Sequence, residues 1–173
     1  MARCNIKLLR GMNLSPIQKC SDMIKQRVLL VDSHAVAIEG IRNLLLSEPD
    51  LEVVAEAGDW WTAVRMVGDI DPDICIMDVS RPGLDGALAT RRMKQTNPTI
   101  KVIALADDHD LHRLERLLGS GISAYILKRR AAIELVDAIR AVISSGVYLG
   151  DSRRSPRDRS IGANPIVQEK PVP

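Results

Sequence analysis

Five short runs rich in Val, Ile and Leu alternate with amphipathic stretches along most of this chain, and that alternation constrains the fold more than any other feature. The runs are "RVLLVD" (27–32), "LEVVAEA" (51–57), "DICIMD" (73–78), "KVIALA" (101–106) and "AYILK" (124–128). The stretches between and after them lie near 34–47, 60–70, 86–96, 110–119 and 131–145. Ile38, Ile41 and Leu45 share one helical face in the first stretch, and Leu135, Ile139 and Val142 share one in the last. Continuous apolar strands are buried on both faces, and parallel strands need helical crossovers to return to the same edge. The expectation is an α/β fold, a parallel five-stranded sheet with helices on both sides.

Composition sets limits on that body. A chain of 173 residues suits one domain with flanks, and a body of that size buries roughly two thirds of its unfolded surface. Phe is absent and aromatics are only 2%, so the core must be aliphatic. Residues 27 to 150 carry 14 Lys and Arg against 18 Asp and Glu, a balance of −4, so the body is not the surface of a nucleic-acid binder. Cys4, Cys20 and Cys75 lack the paired short spacing of zinc or redox motifs, which fits a reducing cytoplasm. No stretch reaches the roughly 18 apolar residues of a membrane span. The opening "MARCNIKLLRGMNLSPIQKC" is interrupted by Lys7 and Arg10 and reads as neither signal nor anchor.

The chemistry is at the strand ends. In open α/β sheets ligands bind outside the carboxyl ends of the strands. Here the first strand ends in Asp32, the third in Asp78 and the fifth in Lys128. Any one of them is explained by a strand reaching the surface. Two carboxylates and an ammonium at one sheet edge suit a hard cation such as Mg²⁺ together with a phosphoryl group. After Asp78, in "DVSRPGLDG", Pro82 and Gly83 predict a tight turn and Asp85 predicts the cap of the next helix.

These strings resemble the receiver domain of bacterial two-component response regulators. "VDSHAVAIEGIRNLL", "DVSRPGLDG", "AYILK" and "AIRAVISSGVYL" are similar to the subfamily that usually carries a LuxR-type helix-turn-helix. The resemblance covers residues 27–148, leaving 1–26 as an N-terminal extension and 149–173 as a flexible basic and Pro-rich tail. It implies a flavodoxin-like (βα)5 doubly wound sheet with strand order 2-1-3-4-5, and a signalling module rather than an enzyme. It further implies that Asp78 takes a phosphoryl group from a histidine kinase or phosphotransfer protein, and that Mg²⁺ is held by Asp32, Asp78 and the Ser80 carbonyl. Lys128 matches the phosphate-contacting lysine, and Tyr125 the aromatic switch position. A cytoplasmic location and homodimerisation through the first and last helices, or the fourth, are family expectations.

Two positions depart from the pattern. Ser33 stands where a second acid usually contacts the metal, and Ala106 stands where a hydroxyl usually ends strand four. Mg²⁺ is commonly held by one or two carboxylates with waters and phosphate oxygens, so the site is weakened without being lost. The missing hydroxyl weighs more, since a ligand without a differential contact shifts no equilibrium. Two readings stay open: a phosphoacceptor, and a phosphorylation-independent pseudo-receiver acting as an interaction or dimerisation module. A nucleotide-binding enzyme of similar fold is disfavoured, because "DSHAVA" has no glycine before Gly40.

Other residues have plainer readings. Asp107 and Asp108 are expected to be solvated rather than to replace the lost acid, and Arg81 to face solvent rather than Asp78. His109 and His112 have metal-compatible spacing but no third ligand in view. His34 is expected to cap or pack. Of Trp60 and Trp61, one is expected to be exposed at the start of a helix capped by Asp59. The tail "SRRSPRDRS" has four arginines in nine residues but no reading helix, and with 23 residues after Gly150 both a stand-alone receiver and a truncated regulator stay open. Sequence-specific DNA binding by this chain is therefore not expected.

Overall fold

Val28, Leu29, Leu30 and Val31 are all buried, the mark of a strand covered on both faces. They form β1 (Gln26–Val31) in a computed structural model that describes residues 25–81, 85–108 and 110–149. The chain continues through α1 (Ala35–Leu46), β2 (Leu51–Ala57), α2 (Trp60–Ile70), β3 (Ile74–Asp78), α3 (Gly86–Thr96), β4 (Lys101–Ala106), α4 (Leu111–Leu118) and β5 (Ala124–Leu127). A 3₁₀ turn (Lys128–Arg130), α5 (Ala131–Ser145) and β6 (Tyr148–Leu149) follow. All strands are parallel, in the order β2-β1-β3-β4-β5-β6. The expected 2-1-3-4-5 sheet is thus present, with one short strand added at the β5 edge.

Strand side chains alternate between faces, so the sheet supplies two cores. Leu29, Val31, Cys75, Met77, Val102 and Ala104 pack against Ala63 and Val67 of α2, Met93 of α3 and Leu117 of α4. Val28, Leu30, Ile74, Ile76, Ile103 and Leu105 pack against Leu45 of α1 and Leu135, Ile139 and Val142 of α5. Cys75 is the free thiol of the first core, and burial pushes it up to about 12.

The caps are local chemistry carried out by the expected residues. Asp59 accepts from the Thr62 N–H at 2.8 Å, and Asp85 from the Leu88 N–H at 3.0 Å. Trp60 packs on the α2 side of the core, while Trp61 stacks on it with ring centroids 3.9 Å apart and stays 58% exposed. β6 had no signal to read, because two residues carry no period. It forms where Gly146, at φ 89°, turns the chain out of α5 and the Tyr148 N–H reaches the Ser123 carbonyl. The expected extension and tail fall on residues outside those described, apart from their innermost positions.

Gly86 fixes how close α3 approaches the strand end that bears Asp78. A Cβ there would lie 2.8 Å from Val79 Cγ1. Gly86→Ala is therefore expected to destabilise by about 1–2 kcal/mol in urea unfolding despite alanine's better helix propensity. A more stable variant would show that Val79 moves aside freely.

Candidate functional site

β1 and β3 are neighbours, so the residues at their carboxyl ends, Asp32 and Asp78, are brought side by side. β5 lies two places from β3, roughly 10 Å away. Lys128 begins there, and its flexible four-carbon stem brings the ammonium back past the end of β4. The methyl of fully buried Ala106 ends that strand. Lys128 Nζ lies 3.0 Å from Asp78 Oδ2, 3.8 Å from Asp32 Oδ2 and 3.5 Å from Asp107 Oδ1. The three residues singled out at the strand ends therefore form one cluster.

The two carboxylates are held alike. Asp32 Oδ1 accepts from the His34 N–H at 2.8 Å, and Asp78 Oδ1 from the Ser80 N–H at 2.9 Å. Each is a carboxylate closing on the backbone two residues ahead, which orients it without a partner from elsewhere. Each then has a second oxygen, Oδ2, that is buried and faces the Lys128 ammonium, at 3.0 Å for Asp78 and 3.8 Å for Asp32. Both Asp side chains are 3% exposed. Burying two like charges is costly, and the Lys128 ammonium is the charge that offsets it. Burial alone would lower the Lys128 pKa, but the hydrogen bond and charge of Asp78, with the charges of Asp32 and Asp107, outweigh it and raise the value.

The structure brings Asp32, Asp78 and Lys128 together and adds three contacts that sequence reasoning missed. His34 caps α1 with its backbone carbonyl, but its ring does not cap: Nδ1 lies 2.9 Å from Asp32 Oδ1. Ser80 contributes its hydroxyl as well, accepting from the Asp107 N–H at 3.0 Å and tying the loop after β3 to the loop after β4. Asp107, expected to be merely solvated, is 65% exposed yet still faces Lys128. None of these leaves a sequence signal, since each depends on loops from different strands meeting. Ser33 is exposed, as are Arg81 and His112. Arg81 makes no ion pair among the described residues. His109 and the turn of Pro82 and Gly83 lie outside the described residues. Tyr125 is 5% exposed and its hydroxyl donates to the Asp108 carbonyl at 2.7 Å; burial raises its pKa first, with the Asp108 and Asp110 charges adding and Arg113 opposing.

Beside the cluster, a groove of about 430 Å³ runs between α1 and α5, lined by Ala37, Gly40, Ile41, Leu44 and Ala132 and opening on Asp32 and Lys128.

The sequence matches the response regulator receiver domain over residues 28–140. The chain belongs to that family. The transcriptional regulatory protein DegU of Brevibacillus brevis is 34% identical over 125 residues, which are 72% of this chain and 53% of DegU. This chain spans about half the length of the curated relatives it matches. A two-component response regulator of the LuxR family from Aurantimonas sp. SI85-9A1 superposes with a TM-score of 0.68 at 32% identity, over 74% of this chain and 91% of that one. The isolated receiver domain of RcsB from Salmonella enterica serovar Typhimurium, solved with the phosphomimetic BeF3⁻, gives 0.67 at 25% identity, over 73% and 94%.

Receiver domains are signalling modules of two-component systems with this flavodoxin-like fold, and DNA binding is the business of their output domains. They generally bind Mg²⁺ at an acidic site, and the acidic group of this receiver is Asp32 and Asp78. They act with histidine kinases or phosphotransfer proteins, and response regulators are typically cytoplasmic. No helix among the described residues is long and apolar enough to cross a membrane.

Proposed function

We propose that the receiver body, residues 27–148, accepts a phosphoryl group on Asp78. The observation that carries this reading is Asp78 Oδ2, a buried carboxylate oxygen 3.0 Å from the Lys128 ammonium at the mouth of the sheet. That oxygen attacks the phosphorus of a phosphohistidine on a kinase or phosphotransfer protein. The O–P bond forms as the N–P bond breaks, and the departing imidazole keeps the electron pair and takes up a proton. Lys128, already a point charge between two carboxylates, pairs with a phosphoryl oxygen as charge builds there.

The donor set fits a hard divalent cation, because two buried carboxylate oxygens converge where a single ammonium serves both. Asp32, Asp78 and the Ser80 carbonyl would hold Mg²⁺, whose charge neutralises the phosphoryl oxygens when it is bound. Ser33, exposed and uncharged, leaves that site one carboxylate short of the usual family set.

The second reading, a pseudo-receiver working as an interaction or dimerisation module, is favoured by Ala106. With no hydroxyl at that position, and with the Tyr125 hydroxyl already on the Asp108 carbonyl, the ordinary handle of the switch is absent. Exposed Val36 on α1 and Ile133 on α5, and Leu111 and Leu118 on α4, support a homodimer through either face.

Incubation with phosphoramidate and Mg²⁺, read by intact mass, separates the two. The phosphoacceptor reading expects one added phosphoryl mass in the wild type and none in Asp78→Asn. An unmodified wild type leaves the interaction module.

A further inference from the structure

The acid missing at Ser33 has a neighbour that fills part of its role. His34 Nδ1 stands 2.9 Å from Asp32 Oδ1, and Asp32, His34 and Asp78 offer ligand atoms that all lie within 4.8 Å of one another. Two ligands at right angles around an ion, each about 2.1 Å from it, lie about 3 Å apart. The imidazole and the Asp32 carboxylate already have that spacing, as a hydrogen bond whose proton an incoming ion would replace. The independent sign of a ligand is the buried Asp32 Oδ2, which accepts no hydrogen bond among the described residues and lies 3.8 Å from the Lys128 ammonium. His34 itself is two thirds exposed, so its ring can turn toward an incoming ion without disturbing the core.

We propose that His34 is a metal ligand of this receiver, and that the set Asp32, His34 and Asp78 selects a first-row transition divalent cation over Mg²⁺. The proposal deepens the phosphoacceptor reading, since it concerns the cation of the same site. The chemistry is one of ligand type. Mg²⁺ takes oxygen donors and gives up its waters reluctantly, whereas imidazole favours borderline ions. Replacing an acidic side chain by Ser33 removes a hard anionic donor, and His34 supplies a softer, neutral one in its place. A site with two carboxylates and one imidazole shifts its preference accordingly.

The test uses the full chain with Mn²⁺ as the probe, followed by electron paramagnetic resonance, and with Mg²⁺ measured by competition. Bound Mn²⁺ is expected to show nitrogen coupling in its pulsed spectrum. His34→Ala should remove the coupling and weaken Mn²⁺ by about tenfold or more while leaving Mg²⁺ within about twofold. His34→Gln, which can still donate to Asp32, should behave like alanine. The proposal is overturned by wild-type Mn²⁺ without nitrogen coupling, by equal loss of both ions in His34→Ala, or by recovery of Mn²⁺ affinity in His34→Gln. The last result would make the ring a positioner of Asp32. Phosphoryl uptake is scored separately by intact mass. An adduct without nitrogen coupling keeps Asp78 as acceptor and rejects His34 as ligand, while coupling without an adduct does the reverse.

Discussion

Lys128→Met is expected to lower the stability of the metal-free protein by about 2–3 kcal/mol in urea unfolding, with the slope against denaturant unchanged. The ammonium contacts three carboxylates, and two of them, Asp32 and Asp78, are 3% exposed. Methionine keeps the stem that crosses the end of β4 and removes only the charge, leaving two like charges buried without a counterion. Complete burial would place the cost at about 3–5 kcal/mol; Lys128 is 26% exposed, so water screens part of it. Millimolar Mg²⁺ should recover part of the loss in the variant and far less in the wild type, because a divalent ion replaces the missing charge. A variant within about 0.5 kcal/mol of wild type would show that the backbone N–H groups of His34 and Ser80 are enough to hold the two carboxylates.

Ile103→Ala should cost about 3–4 kcal/mol, the largest single effect expected in the core. Ile103 is fully buried in β4, paired across from Ile76 on β3 and Ala124 on β5, and packed on the α5 side with Leu135 and Ile139. Rigid strands on both sides limit how far the site can collapse, so the cavity stays open. Ile103→Val should lose only about 1 kcal/mol. Similar losses in the two variants would indicate that the α5 layer relaxes into the space. Because Ile103 sits in the α5-side core and is not part of the acid cluster, phosphoryl uptake by the folded fraction should not change, which separates stability from chemistry.

The alternation of strand and helix was legible because each element buries a whole face, and burial of that kind imposes a period of two or of 3.6 on many residues at once. β2, β4, α2, α3 and α5 run between the residues expected from periodicity and capping alone. The remaining strands and helices differ by a residue at their ends. β6 left no trace, since two residues held by hydrogen bonds to one strand need no pattern of their own. The candidate site divides in the same way. Asp32, Asp78 and Lys128 stood out because a charge that ends a buried run is a local contradiction in the sequence. The His34 ring on Asp32, the Ser80 hydroxyl on the Asp107 N–H and the Asp107 carboxylate facing Lys128 did not stand out. A polar residue in a polar loop contradicts nothing.

The amino-acid sequence alone determined a parallel α/β body, the strand ends that carry its charges, and Ser33 and Ala106, the two residues at which the resemblance implies an acid and a hydroxyl. Those properties are written in periodicity and in residue identity, which are one-dimensional. Tertiary structure decided which charges meet, because strand order puts β1 beside β3 and sends Lys128 across the end of β4. It also decided that an imidazole stands at the edge of the acid pair, since loop conformation sets the 2.9 Å between His34 and Asp32.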